Sequence, residues 1–400
     1  MPEPDTSRPA TCAWADFDQI SAAAMDDPHA MLHQLRAAGP MGYSEKHGGQ
    51  WAIVSHAGVT AAARDAETFR SGSPGPGFPV FATSMPMIGN DPPLHRDFRL
   101  PFQARFSPGS AEAMRPHIRS VVTGLINNFI ERGSADLAKE LCIPLPAKIA
   151  GELLDLPEAN RAELSQWSAR IVAEGPESSA YAQLAGFVSD LYDARVAAPG
   201  TDLASLALTC EIAGQPITRE DWVLLVLLLI LAGMDTTSNG GALMLHYLAT
   251  HPDARAEIAA HPDQLEPAIE ELLRLTSPVP QHARGVGTDT EFLGQHLESG
   301  DVVLLHWMAA NRDPAVFPDP DTFDINRKPN RHYAFGFGAH RCLGANLARV
   351  ELQVLIQEVL RRLPDCEVVP AEVVRYPGLN RGMSGLGARF TPGSPEEAEQ

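Results

Sequence analysis

The chain of 400 residues carries Lys+Arg 31 against Asp+Glu 50, a formal net charge of −19, with 44% apolar and 20% charged residues. A chain of this length buries a sizeable core without disulfide or metal staples, and the acid excess excludes a nucleic-acid or anionic-membrane binder, which needs a dense Lys/Arg footprint. The cysteines Cys12, Cys142, Cys210, Cys342 and Cys366 are widely spaced with no C-x-x-C pair, which excludes a disulfide framework and a zinc ribbon and fits a reducing compartment.

In chain order, residues 1–20 read as a flexible amino-terminal arm. Its sequence MPEPDTSRPATCAWADFDQ has no basic stretch leading into an apolar one, so a cytoplasmic protein with no membrane anchor is expected. Asp27-Pro28 opens a helix that Gly39-Pro40 closes, Gln50–Val54 reads as a strand, and Ser55 caps a helix over His56–Ala66. Ser71–Asn90, rich in Gly and Pro and uncharged, predicts a long functional loop. Helices are expected over Pro93–Phe106, Ala111–Arg132, Leu137–Leu154, Ala159–Glu174 and Ala180–Ala198. Thr218-Arg-Glu-Asp221 forms a capping-box pattern directly before the apolar run Val223–Gly233, which is too short for the roughly 20 residues of a bilayer span. The helix it starts should reach Thr250 and, being apolar on all sides, should run through the middle of the fold. After Arg274, strand-like pieces at Glu291–Leu297 and Val302–His306 alternate with Pro-rich loops until a helix runs from Gly344 to near Leu363. Residues 392–400 read as a disordered acidic tail. The length prior of roughly 150 residues per domain allows two or three domains, yet no repeat and no linker divides residues 21–391. One mainly helical domain with a small β region (α+β) is therefore expected.

The segment Phe335-Gly-Phe-Gly-Ala-His-Arg-Cys-Leu-Gly344 is the most informative. Glycines around one cysteine, directly before an apolar helix, describe a tight loop that delivers Cys342 to a helix amino terminus, where the dipole and free N–H groups favour a thiolate. A single soft thiolate suits an axial iron ligand better than tetrahedral zinc; a free cysteine in a Gly-rich turn is the plain alternative.

Through Phe335, Gly338, Cys342 and Gly344 the segment resembles the F-x-x-G-x-x-x-C-x-G signature of the cytochromes P450. The resemblance implies a triangular-prism fold, with haem b buried between a long central helix and the cysteine-loop helix and Cys342 as the axial iron ligand. It also implies that Glu271-Leu-Leu-Arg274 is the family's E-x-x-R, joined by Arg327 in a structural network; positions i and i+3 do share a helical face. In Ala232-Gly-Met-Asp-Thr-Thr237 it assigns Asp235 and Thr236 to proton delivery, with Ala232 and Gly233 against the haem. For the haem propionates it supplies His95, Arg99, Arg284 and His340, with Phe335, Gly336 and Gly344 completing the cofactor loop. Pro101 departs from the pattern, because proline kinks a helix interior.

The family's pocket positions correspond to Phe78, Phe81, Met85, Met87, Ile88, Leu231, Val279, Gln281, His282 and Met383. With no Lys or Arg from Ser71 to Leu94, a neutral lipophile is the expected substrate, such as a terpenoid or an aromatic natural product, hydroxylated with dioxygen by a monomeric enzyme. No flavin or iron–sulfur motif is present, so electrons are expected from NAD(P)H through a reductase and a small acidic ferredoxin, docking on Arg341, Arg96 and Arg105. A peroxide-dependent peroxygenase and a non-catalytic haem sensor are the alternative readings.

Overall fold

Thr218 begins the element around which the others are arranged. In the computed structural model, which describes Phe17, Asp18, Ser21 and residues 28–72, 85–174, 178–376 and 380–397, its side chain accepts a hydrogen bond from the Asp221 N–H, and the central helix runs unbroken over Arg219–Thr250. That helix is long and apolar enough to cross a membrane, but Trp222, Leu225, Val226, Leu227 and Ile230 are buried by neighbouring helices. Its second half meets the post-cysteine helix, Ala345–Arg362, through Gly240 and Gly241: a Cβ at Gly241 would stand 2.5 Å from the Leu355 side chain. Small residues there let the two backbones approach closely.

The E-x-x-R helix spans Leu265–Thr276 and buries one face completely. A five-stranded sheet lies beyond it, in the order Met41–Ser44, Gln50–Ile53, Val302–Leu305, His282–Val286 and Phe69–Arg70. A smaller sheet joins Glu367–Tyr376, Gly382–Arg389 and Ser134–Asp136 near the carboxy terminus. The expected α+β character is observed.

Several expected elements are corrected. Ala111–Arg132 is not one helix: Pro108–Ala113 and Arg115–Asn127 meet at Met114, because Pro116 in the second first turn cannot donate to the preceding one. Leu137–Leu154 opens with a π-helical turn at Ala138–Cys142, and Pro144 and Pro146 start a separate helix, Pro144–Leu153. Pro101 does end regular helix, with Leu94–Arg99 passing into a 3-10 turn at Leu100–Phe102. Glu291–Leu297 is a hairpin, Thr290–Phe292 against Gln295–Leu297. The tail expected to be disordered is held as far as residue 397. There the Glu396 N–H donates to Asn127 Oδ1 at 3.0 Å, and the Arg361 guanidinium binds the Glu396 carboxylate at 2.9 and 2.5 Å. Residues 1–16 of the arm lie outside the described residues.

Candidate active site

The cysteine loop is built by two left-handed glycines, Gly336 (φ 66°) and Gly338 (φ 76°). At Gly338 the requirement is steric as well, since a Cβ would come within 2.1 Å of the Ala63 carbonyl oxygen. The loop closes by the Cys342 N–H donating to Phe335 O at 2.9 Å. Gly344 caps the helix that follows, so Cys342 sits just before a helix amino terminus, as its sequence context predicts. The residue remains solvent-accessible although protein surrounds its sulfur. That burial pushes the thiol up, against the Gly344 N–H and the charges of Arg99, Arg349 and Arg341, which favour the thiolate.

Four expected propionate partners converge beside this loop. The rings of His95 and His340 lie 4.4 Å apart between centroids, Arg99 Nη2 donates to the Arg341 carbonyl at 2.6 Å, and Arg284 is the central residue of the fourth strand of the five-stranded sheet, paired opposite Val303. Burial and the neighbouring arginines hold His95 down at about 4, and His340 down at about 2. Burial also lowers Arg284 to about 10, while Asp91 opposes the shift. Ser71, which no motif flags, joins the cluster with its hydroxyl 2.9 Å from His340 Nε2.

On the other side, the central helix exposes Ala232 and Gly233 although the turns around them are buried. Among the described residues, no neighbour lies within 4 Å of the position a Gly233 side chain would take. Thr236 Oγ1 donates to Ala232 O at 2.8 Å and Ser238 Oγ to Asp235 O at 2.9 Å, so the polar residues bond back along a helix that stays continuous. Asp235 accepts from Asn239 Nδ2 at 2.9 Å and from Asn380 Nδ2 at 2.6 Å, two partners the sequence pattern does not reveal.

The structural network is assembled as the motif implies. Glu271 and Arg274 are both 0% exposed and form a bidentate pair at 2.7 and 2.8 Å. Arg327 Nε (3.0 Å), Asn330 Nδ2 (3.1 Å) and the Asp324 N–H (3.2 Å) satisfy the rest of the carboxylate. Arg274 Nη1 reaches the Asn311 and Pro320 carbonyls. Next to it lies a second network that sequence reasoning missed. Glu270 receives Arg349 at 2.6 and 2.8 Å and His332 at 3.1 Å, and the Arg349 guanidinium lies 4.4 Å over the Phe335 ring.

The pocket residues fare unevenly. Phe78 and Phe81 lie outside the described residues. Met85 and Met383, each 2% exposed, belong to hydrophobic clusters and present no surface to a site. Met87 is buried as well, whereas Ile88 is exposed and Leu231, Val279 and Gln281 are half-buried. His282 is exposed and stands beside the cation cluster. Strand alternation puts it on the same side as Arg284, and its Nδ1 accepts from Trp307 Nε1 at 2.8 Å. Of the expected electron-donor face, Arg96, Arg105 and Arg341 are exposed, and Arg105 is tied to the Thr201 carbonyl.

The donor set fits a flat dianionic cofactor whose metal Cys342 would hold. Among the described residues, His95 Nε2 is buried without a hydrogen-bond partner, and the buried Arg284, 8% exposed, donates from Nη1 to the Ala283 carbonyl. Buried donors of this kind require an anionic acceptor.

Comparison with known proteins agrees. The Cytochrome P450 family model matches residues 200–370. The cytochrome P450 monooxygenase PikC of Streptomyces venezuelae is 33% identical over 382 residues, covering 92% of each chain. Linalool 8-monooxygenase of Pseudomonas putida is 30% identical over 365 residues, 85% of this chain and 90% of that one. A Bacillus megaterium cytochrome P450 solved in complex with testosterone superposes with a TM-score of 0.83 at 28% identity, over 91% of this chain and 98% of that one.

Proposed function

The chain belongs to the cytochrome P450 family, a haem-thiolate monooxygenase by that membership, and we propose on this premise that it hydroxylates a neutral lipophilic small molecule in the cytoplasm with electrons from an acidic ferredoxin and its NAD(P)H-dependent reductase. Haem b, when bound, supplies the activation of dioxygen from which one oxygen atom enters the substrate.

In this reading Cys342 Sγ is the axial ligand, in a loop shaped by Phe335, Gly336 and Gly344. Arg99, Arg284, His95 and His340 hold the propionates through charge-assisted bonds. Ala232 and Gly233 leave room for the flat face of the cofactor, and Asp235 and Thr236 hold and pass protons on the substrate side. The observation that carries the proposal is the buried His95 Nε2, which has no hydrogen-bond partner among the described residues, beside the buried Arg284 guanidinium and an accessible cysteine.

A neutral substrate is supported by the uncharged stretch Ser71–Asn90 and the apolar or uncharged residues Met87, Ile88, Leu231, Val279 and Gln281. The relative that acts on linalool and the neighbour that holds testosterone point the same way. The test is a spectral-shift titration of purified holoprotein with linalool, testosterone and myristate, followed by product identification with a ferredoxin system. Neutral ligands are expected to give the low-spin to high-spin shift. A response to myristate alone overturns the substrate class, and turnover with hydrogen peroxide but not with ferredoxin overturns the monooxygenase assignment in favour of a peroxygenase.

A further inference from the structure

We propose that Asn380 is a positioning residue for Asp235, setting which way the carboxylate faces and so when it can serve Thr236. The inference rests on the reading of Asp235 and Thr236 as the proton-handling pair.

Each oxygen of the Asp235 carboxylate accepts an amide donor: Oδ1 from Asn239 at 2.9 Å and Oδ2 from Asn380 at 2.6 Å. The two donors differ in kind. Asn239 lies one turn along the same helix and is 2% exposed, so its carboxamide is fixed by the backbone that carries Asp235 itself. Asn380 is 145 residues away in sequence, half-buried, and belongs to a different element.

Its position is nonetheless well determined. The neighbouring Arg381 donates its backbone N–H to Pro278 O at 2.8 Å and its Nη1 to Thr276 O at 2.6 Å. The strand that begins at Gly382 runs straight into the core, where Met383 and Leu386 are buried. The contact therefore ties the central helix to the start of the last strand and, through Arg381, to the segment after the E-x-x-R helix. That segment carries Val279 and Gln281.

Each carboxylate oxygen that accepts one amide donor keeps a second lone pair, so Asp235 can still take a proton from water while the two amides fix the direction in which that lone pair points. Asn239 is carried by the same helix as Asp235 and moves with it, whereas the Asn380 bond crosses between elements and sets the carboxylate against the rest of the fold. Asparagine suits this task because its NH₂ donates to the ionised acid without holding it as a lysine or arginine ion pair would. A proton supplied by bulk solvent reaches the Asp235 carboxylate, the Thr236 hydroxyl gives its own proton to the acceptor on the substrate side and is reprotonated by Asp235, so both residues return to their starting state and the net transfer is from solvent to that acceptor.

The test uses haem-loaded Asn380→Ala, Asn380→Asp and Asp235→Asn, and the Asn380→Ala/Asp235→Asn double variant, with linalool or testosterone as the probe. Haem content and the carbon monoxide difference spectrum establish that each variant is folded, and spectral titration gives its binding constant. Asn380→Ala is expected to lower kcat and the product formed per NAD(P)H by about tenfold, the equivalent of one hydrogen bond to a charged group, with the binding constant unchanged. Asn380→Asp, which sets a second carboxylate beside the first, is expected to lower them further.

Two readouts separate positioning from a general structural role. The C–O stretching band of the carbon monoxide complex should move in Asn380→Ala. In the Asp235→Asn background, removing Asn380 should have no further effect on that band or on coupling. Additive effects in the double variant, or an unmoved band with normal coupling in Asn380→Ala, overturn the role of Asn380 while Asp235→Asn remains impaired. Wild-type coupling in Asp235→Asn overturns the proton-delivery reading itself.

Discussion

The proposed role of Thr236 rests on how its side chain is held on the central helix. Its hydroxyl donates to Ala232 O at 2.8 Å, next to Gly233, where no Cβ covers the backbone, so the proton on Oγ1 is directed and the oxygen lone pairs remain available. Thr236→Ala removes that group with little loss of packing, because the residue is only partly buried. Haem content and probe binding should be unchanged, while hydrogen peroxide released per NAD(P)H should rise about tenfold or more, since a positioned acid–base group contributes about 10²-fold or more. Full coupling in a peroxide assay of the variant removes the role. The residues of this site were legible in the sequence where the chemistry sits in one short run, as at Phe335–Gly344 and Ala232–Thr237. Asn239 and Ser71 were not, because an amide one turn from an acid or a serine beside a long loop is common in any helix or loop. The burial of Met383 was not legible for a similar reason. Apolar or aromatic identity is compatible with pocket or core, and only strand alternation and burial decide between them.

Two adjacent acids, Glu270 and Glu271, give the E-x-x-R helix opposite faces of one task. Glu271 locks the helix to the loop around Asp324–Asn330, while Glu270 holds Arg349 of the post-cysteine helix, and Arg349 covers Phe335 at the base of the cysteine loop. Burial opposes ionisation of Glu270, but the hydrogen bonds and charges of His332 and Arg349 outweigh it and bring the group from 4.5 to about 2. The folded-state value is depressed, so the stabilisation is fully present above pH 4.5 and is lost as the pH falls towards 2, a contribution of roughly 3 kcal/mol. Glu270→Gln should therefore unfold more easily at neutral pH and show a flatter loss of stability between those two values, measured by denaturant titration across the acid range. An acid limb as steep as that of the parent protein would show that the pairing contributes nothing. The E-x-x-R spacing made Glu271 readable, but Glu270 was not. Its partners, His332 and Arg349, are 62 and 79 residues away and follow no short spacing. The same limit applies to the helices. Caps at Ser55 and Thr218 marked their starts correctly, whereas Pro116 and Pro144 broke runs whose apolar periodicity read as continuous.

Across the whole molecule, a net charge of −19 repels an acidic electron donor at long range, so productive docking depends on where the cations stand. Arg96 and Arg341 are exposed next to the cysteine loop, and Leu100, 51% exposed, lies one turn beyond Arg96 and offers an apolar centre to the contact. At low ionic strength the field of the acidic body and the local attraction both reach the approaching partner. At about 0.1 M salt the Debye length is about 10 Å, and only the local patch still acts. Electrostatic complementarity of this kind governs association rate more than final affinity. Arg96→Glu with Arg341→Glu should therefore slow the first electron transfer from a reduced acidic ferredoxin in stopped flow, with the deficit greatest at low salt and shrinking as salt is added. The backbone carbonyl of Arg341 that binds Arg99 is untouched by the substitution, so the carbon monoxide spectrum and probe binding should stay as in the parent. A deficit independent of salt would mean that the donor docks elsewhere, and the cations beside Cys342 would then serve the cofactor alone.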